Sequence, residues 1–139
     1  YVTALSTLDD PTIRPIDQNT ARFYNRVSYD LGFGGMGLGD EAERLSSTLG
    51  NRSVVLMGAH GAMTVGTRVC DAFDDFYYLE RAAETLMTAY ASGQKLRELD
   101  HDVAETTAVQ WENYSFDLRN AHLEQIKAIL DDEEPAFRD

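Results

Sequence analysis

Val54-Val55-Leu56-Met57-Gly58-Ala59-His60-Gly61-Ala62-Met63-Thr64-Val65-Gly66, residues 54–66, is the stretch around which the rest of the chain is ordered. Ser53 to Met57 is a β-branched and apolar run and Ala62 to Val65 is a second one, while Gly58 to Gly61 is rich in turn-forming residues. Two strands joined by a tight connection are expected. His60 then sits in the turn with small residues on both sides, where an imidazole has no packing task.

Downstream, Ala72, Phe76, Leu79, Ala83, Leu86 and Tyr90 recur at spacings of four, three, four, three and four. This keeps one apolar stripe facing a core along a long helix, with Thr67 as the expected cap and Gly93 as the stop. Phe73, Tyr77 and Met87 widen the stripe. A further helix is expected from His101, with Asp100 at its cap and Val103, Thr107, Trp111, Tyr114 and Leu118 on its inner face. Leu123, Ile126 and Leu130 continue that pattern to an acidic tail, residues 131–139, where order is expected to fade after the run Asp131 to Glu134.

Upstream, Asp40 begins a short helix, Glu41 to Leu49, with Glu43 completing an Asp variant of the capping box and Gly50 as the left-handed stop. Gly32 to Gly39 reads as a loop, Arg26 to Tyr29 as a brief strand, and Asp17 to Tyr24 as a helical turn capped by Asp17. The chain opens at Tyr1 inside an apolar pattern, Val2, Ala4, Leu5 and Leu8, as though cut within an element. No internal repeat and no linker divides its 139 residues.

Twelve basic against 24 acidic side chains give a net charge of −12, which disfavours nucleic acid and anionic membrane surfaces as partners. The single cysteine, Cys70, excludes an internal disulfide and reads as a small packing residue. A cytoplasmic setting is expected.

Three groups of residues have the outline of functional motifs. Gly32, Gly34 and Gly37 have dinucleotide-turn spacing, but no strong strand leads into them, and Met57 stands where a ribose-binding carboxylate is wanted. Asp71, Asp74 and Asp75 share one side of the long helix; they read as solvated acids complementing the helix dipole rather than a cation site. His60, His101 and His122 show no local metal-binding spacing, and the latter two read as exposed helix residues.

The run 54–66, followed by Asp71-Ala72-Phe73 and Tyr77-Tyr78-Leu79-Glu80-Arg81-Ala82, resembles the second half of the class II aldolase/adducin family. Asp17-Gln18-Asn19 with Arg22-Phe23-Tyr24 is similar to the preceding segment in the adducin-like branch, and Tyr1 to Ser6 to the helix that follows the family's His-x-His motif. The likeness spans about Tyr1 to Tyr114. It implies an α/β fold, three-layer α/β/α with a largely antiparallel central sheet, of which residues 1–139 would be the carboxy-terminal part and thus an incomplete domain. It also implies a homotetramer with active sites between subunits.

Family enzymes hold a divalent metal, commonly zinc, by three histidines, the third of which maps onto His60. The cation stabilises an enediolate as a carbon–carbon bond breaks. The resemblance therefore implies a metal-dependent lyase or epimerase acting on a small hydroxy-carbonyl compound or sugar phosphate. The family's His-x-His pair and its general acid/base glutamate do not occur in the sequence, so this chain alone is expected to be inactive and to bind zinc weakly. Family members often donate a tyrosine or histidine across the subunit interface; Tyr114 and His101 are the candidates, although Tyr114 also fits the inner stripe of its helix and is expected in the core. The competing expectation is a non-catalytic, adducin-like interaction module. Reaction type and substrate stay open at this stage.

Overall fold

The computed structural model describes residues 1–32, 34–37, 39–114 and 116–138. Phe33 and Leu38 of the glycine-rich stretch, Ser115 and the tail residue Asp139 lie outside the described residues. In chain order the elements are α1 (Val2–Ser6), α2 (Gln18–Ala21), β1 (Val27–Asp30), α3 (Glu41–Leu49), β2 (Val54–Met57), β3 (Gly61–Thr64), α4 (Val69–Ala91), α5 (His101–Glu112), α6 (Phe116–Glu133) and a 3-10 turn, Pro135–Arg138.

The sheet follows from how the strands are connected. β2 and β3 are joined by three residues and pair antiparallel, Met57 opposite Gly61 and Val54 opposite Thr64. β1 reaches β2 through a crossover that contains α3, and such a crossover returns the chain in the same direction. The two strands are accordingly parallel, Val27 opposite Val54 and Asp30 opposite Met57. The α/β expectation holds, and within these three strands the sheet is mixed, with one parallel and one antiparallel pairing.

Alternation along the strands assigns the layers. Ser28 and Asp30 turn towards α3, where the Ser28 hydroxyl is 3.5 Å from the Leu49 carbonyl and Arg44 Nε donates to Asp30 at 2.8 Å. Val27, Val54 and Leu56 point the other way, into a core shared with Val2 and Leu5 of α1, Phe23, and Leu79, Ala82, Ala83 and Leu86 of α4. Helices on both faces make the expected α/β/α sandwich.

Local signals set some boundaries and fail at others. Asp17 caps α2 as expected, accepting from the Thr20 amide at 2.8 Å, and Thr20 Oγ1 accepts from the Asp17 amide in return. The capping box expected at Asp40 does not form; that residue makes no side-chain cap, although α3 has the expected bounds and Gly50 stops it at φ 56°. At α4 the cap position is Arg68, not Thr67. Arg68 grips Asp71 with two nitrogens at 2.6 and 3.0 Å, and Thr67 Oγ1 adds a donor at 3.2 Å. The continuous helix expected from His101 is two helices, broken after Glu112. The tail after Asp131 remains structured through the 3-10 turn, tied back by Arg138 to Asp131.

The inward stripe also shifts. Phe76 and Tyr77 are exposed, whereas Asp74 and Asp75, expected to face water, are 5% and 7% exposed. Buried carboxylates need cationic partners. Arg22, immediately after α2, supplies one: its Nη2 donates to Asp74 Oδ2 at 2.6 Å and to Asp75 Oδ1 at 2.7 Å. Its guanidinium lies 4.7 Å from the Tyr78 ring and 5.0 Å from Trp111. In α5 the inner face is Ala104 and Ala108, and Val103 is exposed. No described helix is long and apolar enough to cross a membrane.

Two predictions follow from these ion pairs. Arg22→Met strands two buried carboxylates and should cost about 3–5 kcal/mol in urea unfolding, part of which is recovered when Asp75→Asn is added. The hydrogen bonds from Arg68 hold the Asp71 carboxyl below its ordinary value of 3.8. A lowered folded-state value means that its stabilisation is complete above the unfolded value and is lost as the pH falls through the folded one. The stability gap between the unaltered chain and Asp71→Asn should therefore be widest near neutrality and close in acid, as followed by urea midpoints.

Candidate functional site

His60 stands on the connection between β2 and β3, and the backbone there is fixed from several sides. The Gly58 amide donates to the Asp30 carbonyl at 2.7 Å, the Ala59 amide to Ser6 at 3.0 Å, and the His60 amide to Met57 at 3.1 Å. Ala59 takes φ 55°, a conformation L residues rarely adopt, and Gly61 takes φ 132°. A side chain at Gly58 would put Cβ 3.0 Å from the Leu31 Cα, a tight approach that requires the Leu31 backbone to give by a few tenths of an ångström. The imidazole itself is exposed.

The other two histidines are engaged. His101 Nδ1 lies 3.0 Å from the Tyr24 hydroxyl. His122, expected to be exposed, is half-buried, with Nδ1 2.8 Å from Asp74 Oδ1 and its ring 4.6 Å from that of Tyr77. Neither ring nitrogen of His60 has a hydrogen-bond or ion-pair partner among the described residues. It is the imidazole most available to an external electrophile.

A metal needs more than that. Among the described residues no group of three histidine, cysteine, aspartate or glutamate side chains is placed to hold an ion. Zinc sites take three or four protein ligands, so the donor set around His60 does not by itself fit a metal.

Tyr114 occupies a different place. It is 54% exposed, which corrects the expectation of a core residue. Its ring packs edge-on to Trp111 at 5.2 Å. Together with Asp74 and Tyr78 of α4 and Leu118, Arg119 and His122 of α6, these two residues line a cleft of about 320 Å³. The cleft lies near the start of β2, where Ser53 Oγ donates to Asp75 Oδ2 at 3.1 Å. His60 lies beyond the other end of that strand, so one chain does not bring Tyr114 and His60 together.

The polar cluster at the cleft floor was missed by reading Asp71, Asp74 and Asp75 as one solvated group. Asp75, Leu79, Ala82 and Leu86 recur at four, three and four, so Asp75 lies on an inward stripe and its burial was legible. Its partners were not, because Arg22 and Arg119 are remote in sequence. Cys70 is buried and unbonded, as a packing residue should be.

Comparison with known proteins places this geometry. An aldolase II superfamily protein from Pseudomonas syringae is 26% identical, with a TM-score of 0.87 over 99% of this chain and 55% of that one. L-fuculose 1-phosphate aldolase from Glaciozyma antarctica is 25% identical, with a TM-score of 0.76 over 96% of this chain and 50% of that one. The chain thus spans about half the length of these structures. No curated protein matches it. The model of the class II aldolase and adducin N-terminal domain matches residues 1–87, more than half of the sequence, and the chain belongs to that family.

Proposed function

We propose that this chain forms part of an aldolase-like site acting on a small hydroxy-carbonyl compound of the sugar phosphate class, as a lyase or epimerase. The observation that carries this reading is His60, an exposed imidazole whose nitrogens have no partner among the described residues, on a turn whose backbone is pinned to α1, β1 and β2. A turn built with a left-handed alanine and a glycine packed closely against the Leu31 backbone holds that ring outward at a cost in backbone strain. The similarity to L-fuculose 1-phosphate aldolase supports the substrate class.

The chain's own contribution is to present one nitrogen donor. A divalent metal, zinc in the expectation drawn from the family, would need further ligands that the described residues do not supply. Tyr114 enters this proposal only through oligomerisation. It is at the other end of β2 from His60 in its own chain, so a role as proton donor requires it to approach the His60 of another copy, as in a tetramer.

Zinc titration followed by imidazole NMR tests this. In the 139-residue chain, resonances of His60 should respond before those of His101 and His122, with weak binding that His60→Ala removes and no cleavage of L-fuculose 1-phosphate. Tight stoichiometric binding by the chain alone would overturn the single-donor reading. A His60 ring that ignores zinc while another histidine takes it up favours the adducin-like module.

A further inference from the structure

The turn that carries His60 is seated between two neighbours. On one side lies α1, whose Ser6 carbonyl accepts from the Ala59 amide at 3.0 Å. On the other lies the end of β1, and the residue that meets the turn there is Asp30, which stands opposite Met57, the last residue of β2. The Asp30 carbonyl accepts from the Gly58 amide at 2.7 Å. Any residue could offer that carbonyl, but the Asp30 side chain adds something that few could.

Its carboxylate reaches two ways. Oδ1 accepts from the Gly32 amide at 3.1 Å, and Oδ2 accepts from Arg44 Nε of α3 at 2.8 Å. Arg44 also approaches Glu41 at 3.6 Å, but the shorter contact is to Asp30. The Asp30 side chain is only 7% exposed, so a charge is kept out of water at the end of a strand. Such burial is unfavourable alone and is tolerated through these charge-assisted bonds.

Leu31 is caught between the two ends of the Asp30–Gly32 bond, and it is the Leu31 backbone against which Gly58 rests. A Cβ on Gly58 would meet the Leu31 Cα at 3.0 Å and its carbonyl oxygen at 3.1 Å. Gly32 lies as closely over the carboxylate, where a Cβ would sit 3.3 Å from Asp30 Oδ1. Leu31 is 53% exposed, so its own side chain does not anchor that backbone. The carboxylate therefore sets the surface on which the turn is pressed.

We propose that Asp30 is a positioning residue for His60. Arg44 holds the carboxylate from α3, the carboxylate holds the backbone around Leu31, and that backbone holds Gly58, from which only Ala59 separates the imidazole. The proposal rests on the aldolase-like reading of His60, since a functional side chain that is misplaced by about 1 Å loses much of its effect.

Amide hydrogen exchange and zinc titration of the 139-residue chain, both followed by NMR, test it. Asp30→Ala should speed exchange at Gly58 and Ala59 on the order of tenfold relative to Val55 in β2, and should weaken the zinc response of His60 by a similar factor while His101 and His122 are unchanged. Asp30→Asn keeps an acceptor for the Gly32 amide and should restore much of the protection. A carboxylate that only stabilises the fold would instead let exchange at Gly58 and Val55 rise together, and that result overturns the proposal. If Asp30→Ala does not fold, Arg44→Gln decides: selective loss of protection at Gly58 and Ala59 supports the positioning role, and its absence overturns it. The aldolase-like reading fails separately, if His60 of the unaltered chain ignores zinc, and exchange at Gly58 still judges Asp30 in that case.

Discussion

Two carboxylates buried side by side on α4 are the constraint around which the helical half of the molecule is arranged. Asp74 and Asp75 are next to each other in sequence and both nearly inaccessible, so a single helix has taken two negative charges out of water. Such charges are tolerated only when neutralised and hydrogen-bonded. Arg22 meets both with one nitrogen, and its position depends on α2, whose first turn is closed by the reciprocal Asp17–Thr20 hydrogen bonds. Trp111 of α5 covers one side of the guanidinium and Tyr78 another. His122 and Arg119 bring α6 to the same pair of acids. Four helices thus converge on one polar cluster.

An apolar replacement of the same shape would often be equal or better for stability alone. What the ionic version adds is direction. A patch of leucines accepts α6 in several rotations, whereas the Asp74 Oδ1 to His122 Nδ1 contact and the approach of Arg119 to Asp75 fix one. This matters because α6 is weakly amphipathic: Leu118 and Ile129 are exposed, and Leu123, Ile126 and Leu130 are only partly covered. Its seat on α4 is therefore set more by charge than by apolar area.

The sequence disclosed what depends on short-range chemistry. The hairpin around His60, the bounds of α3, the Asp17 cap and the long α4 all rest on residues within a few positions of one another. Expectations failed where tertiary contacts outweighed local preference. Acids in the first turns of a helix usually face water and complement the dipole, yet here Asp71 alone stays near the rim, clamped by Arg68, while its two neighbours turn inward to an arginine some fifty positions away. Tyr114 fitted an apolar repeat, but the chain breaks after Glu112, so the repeat does not continue as one helix. His60 was legible for the opposite reason: small residues around an imidazole leave it nothing to pack against, and its exposure follows.

The two ends of β2 divide the chemistry of the molecule. At the start, Ser53 belongs to the acid cluster, and the groups there are locked to one another by charge. At the finish, Met57 leads into a turn stiffened by backbone hydrogen bonds and steric limits, with a side chain that touches none of the described polar groups. A ring held by its own backbone can meet an external partner without first surrendering a partner of its own, which is what a ligating or proton-transferring imidazole requires. His122 lacks that freedom, since leaving Asp74 would strip the hydrogen-bond partner from one oxygen of a buried carboxylate. The same residue type thus serves as an open donor at one end of the strand and as a structural tie at the other, and the difference lies in whether the backbone or the side chain does the anchoring.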